Sequence, residues 1–141
     1  MGNAHGYLGD TIEKTDVLLK DIESALGMPK ERRDLSYKAL RAVLHALRDR
    51  LSVQESAHLA AQLPTLVRGV YYEGWRPQDV PEKMSLDQWL RRIRAECPLD
   101  IDGGTPRLAE TVLRAVHRHV TPGEWHDVRS SLPDEYSSVI P

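Results

Sequence analysis

Glu55-x-x-His58 sets a carboxylate and an imidazole one helical turn apart, the spacing with which a helix supplies ligands to a di-iron carboxylate centre. Sixty-nine residues further on, the same register carries Glu124 and Asp127. If the two stretches pack together, Glu55, His58, Glu124 and Asp127 form a cluster of three carboxylates and one imidazole. The competing role is local. Each glutamate stands three residues after a hydroxyl residue, Ser52 or Thr121, which is the capping-box pattern in which the carboxylate reaches back to the N-cap amide. A capping carboxylate already has a partner, and metal-binding carboxylates sit deep in long helices rather than in a first turn. The sequence therefore favours capping and predicts no metal and no other cofactor.

The remaining chemistry-bearing residues are more scattered. His117 and His119 are two apart on one helix, point to different sides and cannot chelate one ion together; His126 can join only one of them. His45 lies beside the apolar residues Leu44 and Leu47, and its register partner sixty-nine residues on is Arg114, which predicts a surface or interface edge. The lone Cys97 precedes Pro98 with only Arg94 as a nearby base, the setting of a structural rather than a catalytic thiol. Arg68, Tyr72, Trp75 and Arg76, together with Tyr71, gather aromatic and guanidinium groups of the kind that anchor interfaces. They are the candidate binding residues; the reading the sequence favours has Tyr71 and Trp75 pinning the linker, with Arg68 hydrogen-bonded to a carbonyl. Arg41, Arg48 and Arg50, with Arg91, Arg92 and Arg94, are diluted by Asp49, Asp87 and Glu96, as expected of solvated faces rather than phosphate-binding strips.

Helices must position these groups. Thr15, Leu18, Leu19, Ile22 and Leu26 recur at helical spacing between an N-cap at Asp10 and a stop at Gly27. Leu40, Val43, Leu44, Leu47 and Leu51 form a second stripe, with Arg41, Arg48 and Asp49 opposite. Ser52 opens a third helix that ends at Pro64, and Pro64 opens a short fourth through Leu66, Val67, Val70 and Tyr71. Between Glu73 and Lys83, Gly74, Pro77 and Pro81 erase any period. Ser85 with Gln88 caps a helix carrying Trp89, Leu90 and Ile93. Thr105 and Pro106 open the helix of Leu108, Val112, Leu113, Val116 and Val120, and Thr121 caps another that ends at Leu132-Pro133. The segment from Asp134, with Glu135 where the first half has Leu66, is expected to fray or to dock on a partner.

Sliding the chain by 69 residues places Val43, Leu44, Leu47 and Leu51 on Val112, Leu113, Val116 and Val120, Ser52 and Glu55 on Thr121 and Glu124, and Leu63-Pro64 on Leu132-Pro133. A shift of 71 places Leu18, Leu19 and Ile22 on Trp89, Leu90 and Ile93. The expected fold is all-α, a bundle of about eight helices from a duplicated four-helix unit in the order long, long, short, short. The two pseudo-repeats, 10–73 and 83–141, are joined by a linker at 74–82 within a single domain spanning 1–141.

Composition sets the limits. A chain of 141 residues with 40% hydrophobic residues can close a core without staples, and with no Phe that core is largely aliphatic. Nineteen basic against 21 acidic residues give a net charge of −2, which argues against a nucleic-acid partner. Charges interrupt every apolar stretch, so no membrane partner is expected, and the single cysteine with no secretory signal points to the cytoplasm.

The run from Ala39 to Leu51, followed by Gln62-Leu-Pro64 and by Arg68-Gly-Val-Tyr-Tyr-Glu-Gly-Trp75, resembles the prokaryotic domain-of-unknown-function family numbered 2267. Leu113-Arg-Ala-Val116, Gly123-Glu124 and Leu132-Pro133 resemble that family's closing segment, so the resemblance runs from about residue 7 to residue 141. It implies an all-helical fold and carries no activity or catalytic residues with it. With no convergent polar constellation, the sequence points away from an enzyme and toward an interaction module that docks a protein partner or forms a homo-oligomer. The alternative is a metal-dependent or small-molecule-binding protein with a site between the repeats.

Overall fold

Seven α-helices and four short 3-10 turns make up the regular structure of residues 6–141, the part of the chain that the computed structural model describes. No strand occurs among the described residues. The first half contains α1 (Gly9–Leu26), α2 (Arg33–Arg50), α3 (Val53–Ala61) and α4 (Thr65–Tyr72). The second contains α5 (Leu86–Glu96), α6 (Gly104–His117) and α7 (Pro122–Ser130).

Where the sequence predicts an eighth helix, Asp134–Ser138 forms only a 3-10 turn. Its serines favour local bonds over helix propagation, as Ser138 shows by donating to the Glu135 carbonyl at 3.4 Å. The segment is held against the chain itself. Tyr136, Val139 and Ile140 are buried in the chain's own core, and the Tyr136 hydroxyl donates to the Met84 carbonyl at 2.7 Å.

The ends of the other helices follow local chemistry with small departures. Gly27 stops α1 in the left-handed conformation, φ 69°, and its amide donates to the Glu23 carbonyl. Asp10 lies inside the first turn of α1 and pairs with Lys14 instead of capping. Thr105 is likewise inside α6, because Gly103 at φ 87° turns the chain one step earlier; a Cβ there would come within 2.8 Å of Arg107. Pro64 is the N-cap of α4 rather than its first residue.

Helix α2 is the axis of the molecule, packing on α1, α4, α5 and α6. The predicted stripe of Leu40, Val43, Leu44 and Leu47 is buried and meets the equally buried Val112, Leu113 and Val116 of the α6 stripe. Each such side chain contributes roughly 1.5–3 kcal/mol when removed from water. Helix α1 also packs on α6, α5 packs on both α2 and α6, and α3 packs on α7.

That central position overturns the expected solvated face of α2. Arg48 is only 5% exposed: its Nη1 donates to the carbonyls of Tyr71 at 2.9 Å and Glu73 at 2.7 Å, and its Nε donates to Asp49 at 3.0 Å. Arg41 bridges Glu73 and Glu96, while Arg92 of α5 bridges Asp49 and Glu82. His45, expected at an edge, is also buried, with Nδ1 3.1 Å from Glu96 and Nε2 2.8 Å from the Val70 carbonyl. Arg48 and His45 share a cause. The last turn of α4 ends against α2, and its orphan carbonyls need donors that only a neighbouring side chain can supply.

Among the described residues no helix is long and apolar enough to cross a membrane.

Candidate functional site

The short helices α3 and α7 meet with their first turns together, which brings Glu55 and Glu124 face to face. Ser52 and Thr121 cap as predicted, accepting the amides of Glu55 at 3.1 Å and Glu124 at 3.3 Å. The return half of the capping box is not made in either helix. The Thr121 amide donates to the Gln62 Oε1 at 2.7 Å, taking the place that the Glu124 carboxylate was expected to fill. By contrast, Gln88 closes the box at Ser85 in both directions, at 2.8 and 3.1 Å. The two glutamates are thus free of the local duty that the sequence assigned to them.

Each residue of the trio Glu55, His58 and Glu124 offers a ligand atom, and these atoms lie within 4.8 Å of one another. Glu124 is 8% exposed, Glu55 is half-buried, and His58 is open to solvent. Ser131, at the C-cap of α7, places its hydroxyl 3.3 Å from the Glu55 Oε1. The Oε2 atoms of both glutamates are buried with no hydrogen-bond partner. Burial first, then the like charge of Glu55 and a hydrogen bond between the two carboxyl groups, then Asp127, raise the Glu124 carboxyl above its ordinary pKa against the opposing pull of His58. Asp127 is exposed and stays outside the trio. Positive partial charge at the two helix N-termini offsets part of the repulsion between the carboxylates.

The four candidate binding residues are not brought to one free surface. Arg68 is turned inward and caps the end of α3, donating to the carbonyls of Ala60 at 2.9 Å, Ala61 at 3.2 Å and Leu63 at 3.3 Å. Tyr72 and Trp75 are half-buried and stack with ring centroids 5.1 Å apart, next to an edge-on contact between Tyr71 and Tyr72. Arg76 is exposed and pairs with Asp79 at 2.6 Å.

Periodicity missed a surface feature. A groove of about 350 Å³ runs between α1, α2 and α4, floored by Leu19, Leu40 and Val67 and rimmed by Ile12, Tyr37, Leu66 and Val70. Leu66 is 50% exposed and Tyr37 40%. The sequence counted Leu66 among the apolar residues of the fourth helix; its neighbour Val67 lies at 1% exposure.

A family model described as an uncharacterized conserved protein (DUF2267) matches residues 15–139. The chain belongs to the DUF2267 family. No curated protein matches it. The matched span includes the groove, the linker and the Glu55 trio of this DUF2267 member. Its lone thiol, Cys97, is 3% exposed in the DUF2267 core, and burial pushes its pKa up, away from the thiolate form.

Proposed function

We propose that the protein is a non-enzymatic self-association module, with a second copy of the chain seated on the groove between α1, α2 and α4. The observation that carries this reading is the exposure of Leu66 and Tyr37 on the rim of an apolar groove. Leaving such half-exposed side chains in water forgoes about half of the roughly 1.5–3 kcal/mol of a fully buried apolar side chain, which a partner surface recovers. The flanking helices carry both signs, with Glu13, Asp16 and Lys20 on α1 and Lys38 on α2. Such a mixture lets one patch face its own copy across a two-fold axis. The groove is favoured over Arg68, Tyr72, Trp75 and Arg76 because those side chains are largely engaged inside the chain.

Light scattering over a range of concentrations tests this. A monomer–dimer equilibrium is expected, and Leu66→Asp shifts it to monomer while leaving the melting temperature close to that of the unmodified protein. If Trp75→Ala dissolves the dimer and Leu66→Asp does not, the docking face lies at the linker. A monomer at every concentration ends the reading.

The module is also, in this proposal, a doubled unit, with 10–73 and 83–141 as the copies and 74–82 as the join. Support comes from matched packing: α1 and α5 each lie on both α2 and α6. Val43 and Val112 are each fully buried. Gln62 and Ser131, equivalent under the 69-residue shift, each reach from one short helix to the start of the other.

A further inference from the structure

We propose that Glu55, His58 and Glu124 form a binding site for a first-row divalent transition-metal ion between α3 and α7. The inference is independent of the self-association reading. Three observations carry it. The ligand atoms of all three residues lie within 4.8 Å of one another. Around a tetrahedral ion with bonds of ~2.0–2.2 Å, ligand atoms stand roughly 3.3–3.6 Å apart, so small side-chain rotations bring them into coordination. Glu124 is more than nine-tenths buried, and its Oε2, like that of Glu55, has no hydrogen-bond partner. Buried carboxylate oxygens without donors are costly, and a cation between them satisfies both. Finally, the capping role that would have explained both glutamates is vacant in the structure, since Gln62 takes the Thr121 amide.

The donor set narrows the ion. Magnesium and calcium are held by oxygen ligands alone, in six-fold or higher coordination. Two carboxylates and an imidazole suit zinc and its first-row neighbours, with water completing the sphere on the exposed His58 side. Two carboxylates also balance a double positive charge. Ser131 flanks the arrangement: its hydroxyl donates to the Asp127 carbonyl at 2.7 Å and lies 3.3 Å from the Glu55 Oε1. Because α3 belongs to the first half of the chain and α7 to the second, a bound ion ties the halves together.

The test is calorimetric titration of metal-stripped protein with Zn²⁺, and with Mg²⁺ in parallel. One Zn²⁺ per chain is expected, with Mg²⁺ binding far more weakly. Glu124→Gln and His58→Ala each weaken Zn²⁺ binding by more than the ~10–100-fold that loss of an outer-shell partner costs. Glu124→Gln removes the facing pair of like charges and leaves the protein folded, so its metal-free form melts above the unmodified metal-free protein. That shift reads the charge pair independently of any metal. Zn²⁺ binding that survives both substitutions belongs to surface histidines and overturns the proposal. Absence of Zn²⁺ binding also overturns it and leaves the two carboxyl groups sharing a proton. Equal affinity for Mg²⁺ overturns the assigned metal class.

Discussion

Replacing Arg48 with Met keeps most of the aliphatic stem and removes only the guanidinium, so the loss falls almost entirely on hydrogen bonds. Two of these go to main-chain carbonyls at the end of α4, Tyr71 at 2.9 Å and Glu73 at 2.7 Å, and the Tyr71 bond is fully buried. A hydrogen bond from a charged donor contributes roughly 1.5–3 kcal/mol, and an abandoned buried carbonyl retains its desolvation cost. Asp49 still has Arg92 at 3.1 Å, so no unpaired carboxylate is added to the loss. The expected destabilisation is about 3–5 kcal/mol. In a chain of this length that corresponds to a fall in melting temperature of about 10–20 °C. Urea melts followed by circular dichroism measure the free energy, and thermal melts provide an independent check. Arg41→Met is the control: Arg41 also bridges to Glu73 and Glu96 from α2, but its side chain is 34% exposed, so its loss is expected to cost about 1 kcal/mol or less. If Arg48→Met costs no more than Arg41→Met, the idea that α2 supplies indispensable donors to the end of α4 is wrong.

Other expectations follow from single contacts. Glu23 accepts from Arg33 at 2.8 and 3.2 Å and from Ser36 at 2.8 Å, and the Arg33 bonds hold its carboxyl below the ordinary value despite burial. Its contribution is therefore complete above the unfolded pKa of ~4.3 and disappears as pH falls through the lower folded value. Acid melts will show the unmodified protein losing more stability below about pH 4 than Glu23→Gln loses; parallel curves would contradict this. Burial raises the phenol pKa of both Tyr71 and Tyr136, so in an alkaline absorbance titration two of the five tyrosines will ionise only as the protein unfolds. Tyr71→Phe removes the 3.0 Å donation to Ser56 and will lower stability by about 1 kcal/mol, read from the same urea melts. Cys97 will resist a thiol reagent until denaturant is added, and rapid labelling of the native protein would show that the α5 end opens locally.

The helices were legible wherever the deciding interaction is local. The α2 stripe, the Ser52, Ser85 and Thr121 caps and the Gly27 stop all depend on neighbours within one or two turns, and all are present. What failed depends on distant chain. The sequence expects Arg48 on a solvated face and, from its register with Arg114, His45 at a surface or interface edge, but α2 is surrounded by four helices, and the carbonyls those residues satisfy lie at the end of α4. Likewise, the Ser/Thr-x-x-Glu pattern specifies where α3 and α7 begin but not where the carboxylate turns. For Glu124 that direction depends on Gln62 arriving at the Thr121 amide from the end of the other short helix. The eighth helix failed for a milder reason: the apolar spacing of Tyr136, Val139 and Ile140 is honoured by burial, while the intervening serines yield only a 3-10 turn. For the groove, one residue made the difference. Leu66 looks like core by type, but it points outward beside Val67.

The way α1 rests on α6, and α5 on α2, determines what happens if the connection near Trp75 is cut. Each fragment keeps only one of the two helices on which its own first helix rests, so each alone is a chain with part of its apolar lining exposed. Mixed together, they regain that lining and reassemble without a covalent bond. Cutting the loop therefore turns a one-chain folding reaction into a bimolecular one, whose midpoint moves with concentration.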